Sequence, residues 1–313
     1  MMAKYRIVFA GTPAFALPSL QACLDSEHEV CAVYTQKDRP KGRGQVVTPS
    51  PVKVLAQQAN IPVHTPDSCR DPAVLTELAA YKPDILIVVA YGMLLPQSIL
   101  DIPRLTCLNV HASLLPRWRG AAPINHAIMA GDAETGVSIM QVVKALDAGP
   151  VYKTARYLMA ADDTAATVYD ALASLGGQAL VETLSDLPLI TPQPQYEALV
   201  TYAHKLQKAD GQIDFALSAV DIERRFRGLQ PWPGCFFWFR DQAIKVHEMV
   251  IDPSDKKGPP GTILSWDERG LCVATGSQPI YLQALQFPGK QRLAASILWQ
   301  QQPKLFATVD LLR

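Results

Sequence analysis

The chain has 313 residues, is 49% hydrophobic and 19% charged, and balances 29 Lys and Arg against 29 Asp and Glu. That is room for roughly two domains at about 100–200 residues each, with no run near the roughly 18–20 apolar residues of a membrane span. Zero net charge gives no reason to expect a nucleic-acid partner from composition, so any such contact must come from a local patch.

The opening "MMAKYRIVFAG" carries no apolar signal region and runs straight into a strand, Tyr5–Phe9, that turns into a helix after Gly11. Its turn, "FAGTP", holds one glycine where a dinucleotide-binding GxGxxG needs three, which argues against NAD or FAD. Glu29–Tyr34 reads as a second strand and Pro51–Asn60 as a helix, with Pro51 in the first turn, where a missing N–H costs nothing. Between them "TQKDRPKGRGQVVTPS" reads as a long polar loop. It carries Lys37, Arg39, Lys41 and Arg43 against a single acid, Asp38, with Gly42 and Gly44 on either side of Arg43. By composition alone this is a solvated surface loop, yet so long a loop without structure is uncommon unless functional or disordered.

Asp84–Gly92 is a continuous apolar run, as in a strand buried on both faces. Thr106–Val110 is the next strand, Thr135–Val143 and Val151–Leu158 alternate as two more, and "DDTAATVYDALASLGGQALVETL" runs at helical spacing behind capping residues. Strands alternating with helices give an α/β domain with a mostly parallel sheet. After Leu187, three prolines and no period mark a linker. Beyond Lys208 a helix-like "LSAVDIERRFRGL" precedes short strand-like runs separated by turn residues, the pattern of a small β-barrel. The expected organisation is therefore a domain over 1–189, a linker over 190–207 and a second domain over 208–313. In that second domain "PWPGCFFWF" reads as barrel core and domain interface, and Arg224, Arg225, Arg227, Lys245, Lys256, Lys257, Lys290 and Arg292 are candidate surface cations.

The six cysteines are scattered without a CxxC pair, a reduced pattern that leads us to expect a cytoplasmic protein. His28, His64, His126, His204 and His247 lack ligand spacing, so no metal is expected.

The stretch "LTCLNVHASLLPRWRGAAPI" poses the chemical question. A buried strand delivers Asn109 and His111, two residues apart and hence on one face, to its carboxyl end. Taken alone they are a polar pair at the top of a sheet. In open α/β sheets, however, ligands bind outside the carboxyl ends of the strands, and Asp147 lies in "ALDAGPVY", a connection between later strands able to face the same crevice. Asn, His and Asp together suit acyl transfer: a donor for a developing oxyanion, a titratable imidazole, and a carboxylate to orient it. An amine substrate is nucleophilic by itself, so direct transfer is favoured over a covalent intermediate on Ser113.

"NVHASLLPRWRGAAPI" with "GVSIMQVVKALDAGPVY" resembles the folate-dependent formyltransferases, and the likeness extends to "FAGTP", "TPSPVK", "VVAYG" and "PWPG". The resemblance implies a Rossmann-like domain followed by a small OB-like barrel. It implies Asn109, His111 and Asp147 as the catalytic set and Ser113, Leu114, Leu115 and Pro116 as the segment lining the folate site. The formyl donor would be 10-formyltetrahydrofolate, and no metal is implied. Within the family the closest likeness is to the branch acting on initiator methionyl-tRNA, in which the basic loop enters the acceptor end of the tRNA. That places Arg39, Lys41 and Arg43 against RNA, gives the second domain a tRNA-binding role, and carries the expectation of a monomer away from membranes. Lys37, Lys41, Gln45 and Val46 depart from the charge placement of some relatives, moving the positive charge without removing it. The alternative is a relative that formylates a sugar-nucleotide amine, which would not need the basic loop.

Overall fold

The structure, a computed structural model, describes residues 4–41, 44–307 and 311–312. The chain divides into two compact units, one built from Met1–Pro123, Ala133–Met159 and Thr167–Ala203, the other from Ile124–Asp132, Ala160–Ala166 and His204–Arg313.

The first unit begins with β1 (Arg6–Gly11), α1 (Leu17–Leu24) and β2 (Glu29–Tyr34). The polar segment expected as an open loop instead pairs β3 (Arg39–Lys41) with β4 (Val46–Thr48) as an antiparallel hairpin. Its strands are only three residues long, and β4 is exposed throughout, so no buried face imprints a period on the sequence. Then come α2 (Pro51–Gln58), β5 (Val63–His64), α3 (Pro72–Ala80) and β6 (Ile85–Val89). Ser50 and Asp71 cap α2 and α3 by accepting from Lys53 N at 3.0 Å and Ala73 N at 2.9 Å, each with proline at the first helical position. The unit continues through α4 (Gln97–Leu100), β7 (Thr106–His111), β8 (Arg119–Gly120), α5 (Pro123–Ala130), β9 (Glu134–Gln141), β10 (Val151–Leu158), α6 (Ala165–Asp186) and β11 (Tyr202–Ala203), with α5 and α6 each beginning or ending in the other unit.

Seven strands form one sheet in the order β10-β9-β7-β6-β1-β2-β5. The five from β7 to β5 are parallel, while β9 runs antiparallel to β7 and β10 antiparallel to β9. This is the mostly parallel Rossmann-like sheet expected from the alternation of elements. Val74 and Leu78 of α3 and Ile99 of α4 pack with Val8, Leu86 and Cys107 on one face. On the other, α6 comes in at Gly176 and Gly177. Glycine inside a helix costs roughly 0.5–1 kcal/mol relative to alanine, and here close approach demands it. A Cβ on Gly176 would lie 2.8 Å from Val110 Cγ1, and one on Gly177 2.8 Å from the Pro18 carbonyl oxygen. Val110 therefore points at α6, and its neighbours Asn109 and His111 project from the opposite face.

The second unit carries α7 (Ala219–Gly228), capped by Ser218, and a six-stranded antiparallel sheet of β12 (Cys235–Phe239), β13 (Gln242–Ile251), β14 (Ile263–Asp267), β15 (Gly270–Val273), β16 (Ile280–Gln286) and β17 (Leu293–Ala294), followed by α8 (Ala295–Gln301). The β12–β13 turn holds Arg240 and Asp241 at φ 46° and 59°, as a two-residue hairpin requires. Phe237, Ile244, Leu271 and Leu282 are fully buried in its core. The aromatic run is only half core, because β12 alternates: Phe237 and Phe239 face in, while Trp238 is 40% exposed and Trp232, ahead of the strand, 52%.

Candidate active site

Asn109 and His111 are the fourth and sixth residues of β7, paired across the ladder with Met140 and Ser138 of β9. Val88 lies opposite Asn109 on β6, which ends one residue later, so the pair emerges where the neighbouring parallel strand stops. The imidazole is buried, 6% exposed. Its Nε2 lies 2.9 Å from the Trp118 carbonyl oxygen and its Nδ1 3.7 Å from Asp147 Oδ2. Both ring nitrogens thus face oxygen atoms, Nε2 at hydrogen-bond distance and Nδ1 beyond it. Asn109 is half-buried, and among the described residues its side-chain amide has no hydrogen-bond partner. The three polar side chains singled out in the sequence therefore meet or converge: Asp147 reaches His111 across 36 residues of chain, from a connection in which it adopts the left-handed conformation at φ 49°.

The segment expected as a folate-lining strip divides in two. Leu114, Leu115 and Pro116 are half-buried and present apolar surface. Ser113 is different. It is fully buried, its hydroxyl donates to the Arg117 carbonyl at 2.6 Å, and its own carbonyl accepts from the Ser138 hydroxyl at 2.7 Å. Ser113 fastens the loop to itself and to β9.

The Pro-rich stretch expected as a linker holds up this site. Residues 190–203 belong to the first unit, and β11 pairs in parallel with β8, Ala203 opposite Gly120. Gly120 sits at φ 124°, and a Cβ there would stand 2.5 Å from the Ala203 carbonyl oxygen, so only glycine lets the two backbones approach. The Thr201 hydroxyl accepts from Trp118 N at 2.9 Å, the Thr201 carbonyl accepts from Arg119 N at 2.9 Å, and the Gly120 amide donates to Asp147 Oδ2 at 2.9 Å. Arg119 is 3% exposed and pairs with Gln195 and Glu197. Arg119, Gln195 and Thr201 were not singled out in the sequence, because their partners lie 46 to 83 residues away and no local periodicity announces them.

In the hairpin Arg39 is exposed, and Arg43 lies outside the described residues. The one acid of the segment, Asp38, turns to α2 and holds Lys53 Nζ with both oxygens at 2.9 and 2.8 Å. Lys37 pairs with Asp67 at 2.6 Å. Of the second unit's candidate cations, Arg224, Arg227 and Arg292 pair with Asp221, Glu223 and Glu248, and Arg225 bonds the Asp210 carbonyl, which leaves Lys245, Lys256, Lys257 and Lys290 as the exposed group. All six cysteines are thiols, and burial pushes Cys23, Cys107 and Cys235 up to about 12. Among the described residues no three His, Cys, Asp or Glu are placed to share a metal ion, and no helix is long and apolar enough to cross a membrane.

A parallel sheet with a polar trio at a strand's carboxyl end, followed by a small antiparallel domain, defines a class, and the chain belongs to the formyl transferase family: the family's description matches residues 5–184, and that of the formyl transferase C-terminal domain matches residues 205–303. Methionyl-tRNA formyltransferase of Ectopseudomonas mendocina is 49% identical over 304 residues, covering 96% of each chain. That of Pseudomonas syringae pv. tomato is 48% identical over 309 residues, covering 98% of each. Among solved structures, the N-formyltransferase of Helicobacter canadensis, in complex with folinic acid and dTDP-3-aminofucose, has a TM-score of 0.67 at 15% identity over 92% of this chain and 99% of that one, a shared fold.

Proposed function

We propose that this chain transfers the formyl group of 10-formyltetrahydrofolate to the free α-amine of methionine esterified to initiator tRNA. The observation that carries the reading is the convergence of Asn109, His111 and Asp147 at the end of β7, in a chain 49% identical to a methionyl-tRNA formyltransferase along nearly its full length. The amine nitrogen forms a bond to the formyl carbon, giving a tetrahedral intermediate with charge on the formyl oxygen. Asn109 Nδ2 and the protonated imidazole of His111 stabilise that oxyanion, and one such donor is typically worth about 10²–10³ in rate. Asp147 keeps the imidazole oriented and charged, and a carboxylate there takes up the proton that leaves the amine. The bond from formyl carbon to folate N10 then breaks, its electron pair stays on N10, and N10 is protonated. A formyl group has replaced one amine hydrogen, and N10 has gained one.

Leu114, Leu115 and Pro116 suit the flat apolar ring of a folate, and the Helicobacter canadensis enzyme, which has the same fold, is in complex with a folate analogue, folinic acid. Arg39, Lys41 and Arg43 are assigned to the tRNA, with the exposed lysines of the second unit as further phosphate contacts. The test is formyl transfer from 10-formyltetrahydrofolate to methionyl initiator tRNA, run beside methionyl elongator tRNA and a sugar-nucleotide amine. Preference for initiator tRNA is expected. Turnover of the sugar amine with none of the tRNA would replace this reading with the small-amine one. Arg43→Ala weakens use of the tRNA, leaves folate affinity nearly untouched, and lowers the log–log salt slope by roughly one unit.

A further inference from the structure

We infer that Gln195 is a positioning residue for the reaction, the clamp that sets where the carboxylate of Asp147 stands against His111. The inference rests on the role assigned to Asp147 above. Gln195 Nε2 donates to two carbonyls at once, those of Asp147 and Gly149, each at 2.8 Å. Its two N–H bonds therefore go one to each side of the residue pair 148–149. The other end of the same side chain, Oε1, accepts from Arg119 Nε at 2.9 Å. Arg119 is itself fixed: it is 3% exposed, its Nη2 lies 2.7 Å from Glu197 Oε1, and its backbone amide donates to the Thr201 carbonyl.

These bonds close a ring. Asp147 Oδ2 accepts from the Gly120 amide at 2.9 Å, Gly120 is covalently joined to Arg119, Arg119 holds Gln195, and Gln195 holds the Asp147 carbonyl. The aspartate is thus gripped at its carboxylate by Gly120 and at its backbone by Gln195, two segments tied together by the Arg119–Gln195 bond. Such a grip has a purpose at this residue. Asp147 has φ 49°, a conformation that L residues rarely adopt and keep only where their surroundings over-determine it. The Gly149 turn beside it has no slack, since a Cβ there would collide with the Gln141 carbonyl. The separation that matters, 3.7 Å from Oδ2 to His111 Nδ1, hangs on this turn. A misplacement of about 1 Å in a reacting group can cost about 10²-fold, so a residue that never touches substrate can still govern turnover.

Gln195→Leu keeps the bulk and removes both donors and the acceptor. Gln195→Glu keeps the length and the acceptor for Arg119 while removing both donors, so it isolates the grip on residues 147–149 from the packing of Arg119. Each variant is expected to lower kcat about 10- to 100-fold, with KM for both substrates changed less than about threefold and with a pH–rate profile altered in shape. Made in an Asp147→Asn background, Gln195→Glu is expected to cost less than about threefold more, because residues that act through one another are not additive. A folded Gln195→Glu enzyme with wild-type kcat overturns the inference, and so does full additivity with Asp147→Asn. If Asp147→Asn alone leaves kcat and its pH profile intact, it is the role of Asp147 that fails.

Discussion

Asp84 and Asp147 stand at opposite ends of the same sheet, Asp84 just ahead of β6 and Asp147 against the last residue of β7, and their side chains are equally shielded, 15% and 14% exposed. What differs is how their oxygens are occupied. Asp84 accepts from the Arg6 amide at 2.9 Å with one oxygen and from Arg104 Nε at 2.8 Å with the other. Burial works to raise its carboxyl, but the Arg6 amide and the Arg104 guanidinium overcome that and hold it below the usual carboxylate range. Asp147 accepts one amide, and the ionisable group facing it is an imidazole at 3.7 Å, too long for a direct hydrogen bond. Among the described residues no hydrogen bond reaches its second oxygen. A carboxylate satisfied on both oxygens by a main-chain amide and a guanidinium is structural, while one left partly unsatisfied beside a titratable ring keeps the capacity to handle a proton.

The largest effects are expected at His111 and Asn109. His111→Ala and Asn109→Ala are each expected to lower turnover by at least about two orders of magnitude while the urea midpoint stays close to wild type; a folded variant of either kind with a normal rate would remove that residue from the chemistry. Asp147→Asn comes next. It keeps the shape and the acceptor for the Gly120 amide but loses the charge, so turnover falls and the pH–rate profile changes form; a profile superimposable on wild type would separate Asp147 from His111. Asp84→Asn is the control with the smallest effect on rate. Turnover is expected to be unchanged, and unfolding in urea at pH 7 should show a loss of roughly 1–2 kcal/mol. Because the folded-state carboxyl of Asp84 is depressed below its unfolded value of about 3.9, its stabilisation is fully present above that value and is lost as pH falls through the folded one. The gap between Asp84→Asn and wild type should therefore close as the denaturation is repeated towards pH 2.

The two ends of the sheet also differ in how openly the sequence declared them. The strands β6 and β7 are continuous apolar runs, because burial on both faces leaves that imprint, and Asn109 with His111 stood out against it as polar residues on one face. Asp147 was legible only as a residue of the right chemistry in a glycine-containing connection. Ser113 was expected only as part of the folate-lining segment, and nothing local reveals that its hydroxyl donates to the Arg117 carbonyl while its own carbonyl accepts from Ser138. The β3–β4 hairpin was hidden by its shortness and exposure. Least legible was 190–203: prolines and missing periodicity correctly indicate a chain outside helix and long strand, but the same irregular backbone is what lets Gln195 and Thr201 reach a loop built 76 to 83 residues earlier.

The pairing of β8 with β11 has a consequence in time. His111 and its supporting carbonyl at Trp118 leave the ribosome early, whereas Thr201 and Ala203, which fix the backbone of Trp118 to Ala121, are made about 90 residues later. At translation speeds of about 5–20 residues per second, roughly 5–20 s separate the appearance of the imidazole from that of the strand that pins its loop. During that interval the nascent sheet can already be packed around β1, β6 and β7 while the loop that carries the chemistry still lacks its last strand. A truncation before residue 201 is therefore expected to yield a chain that compacts without acquiring a set active centre.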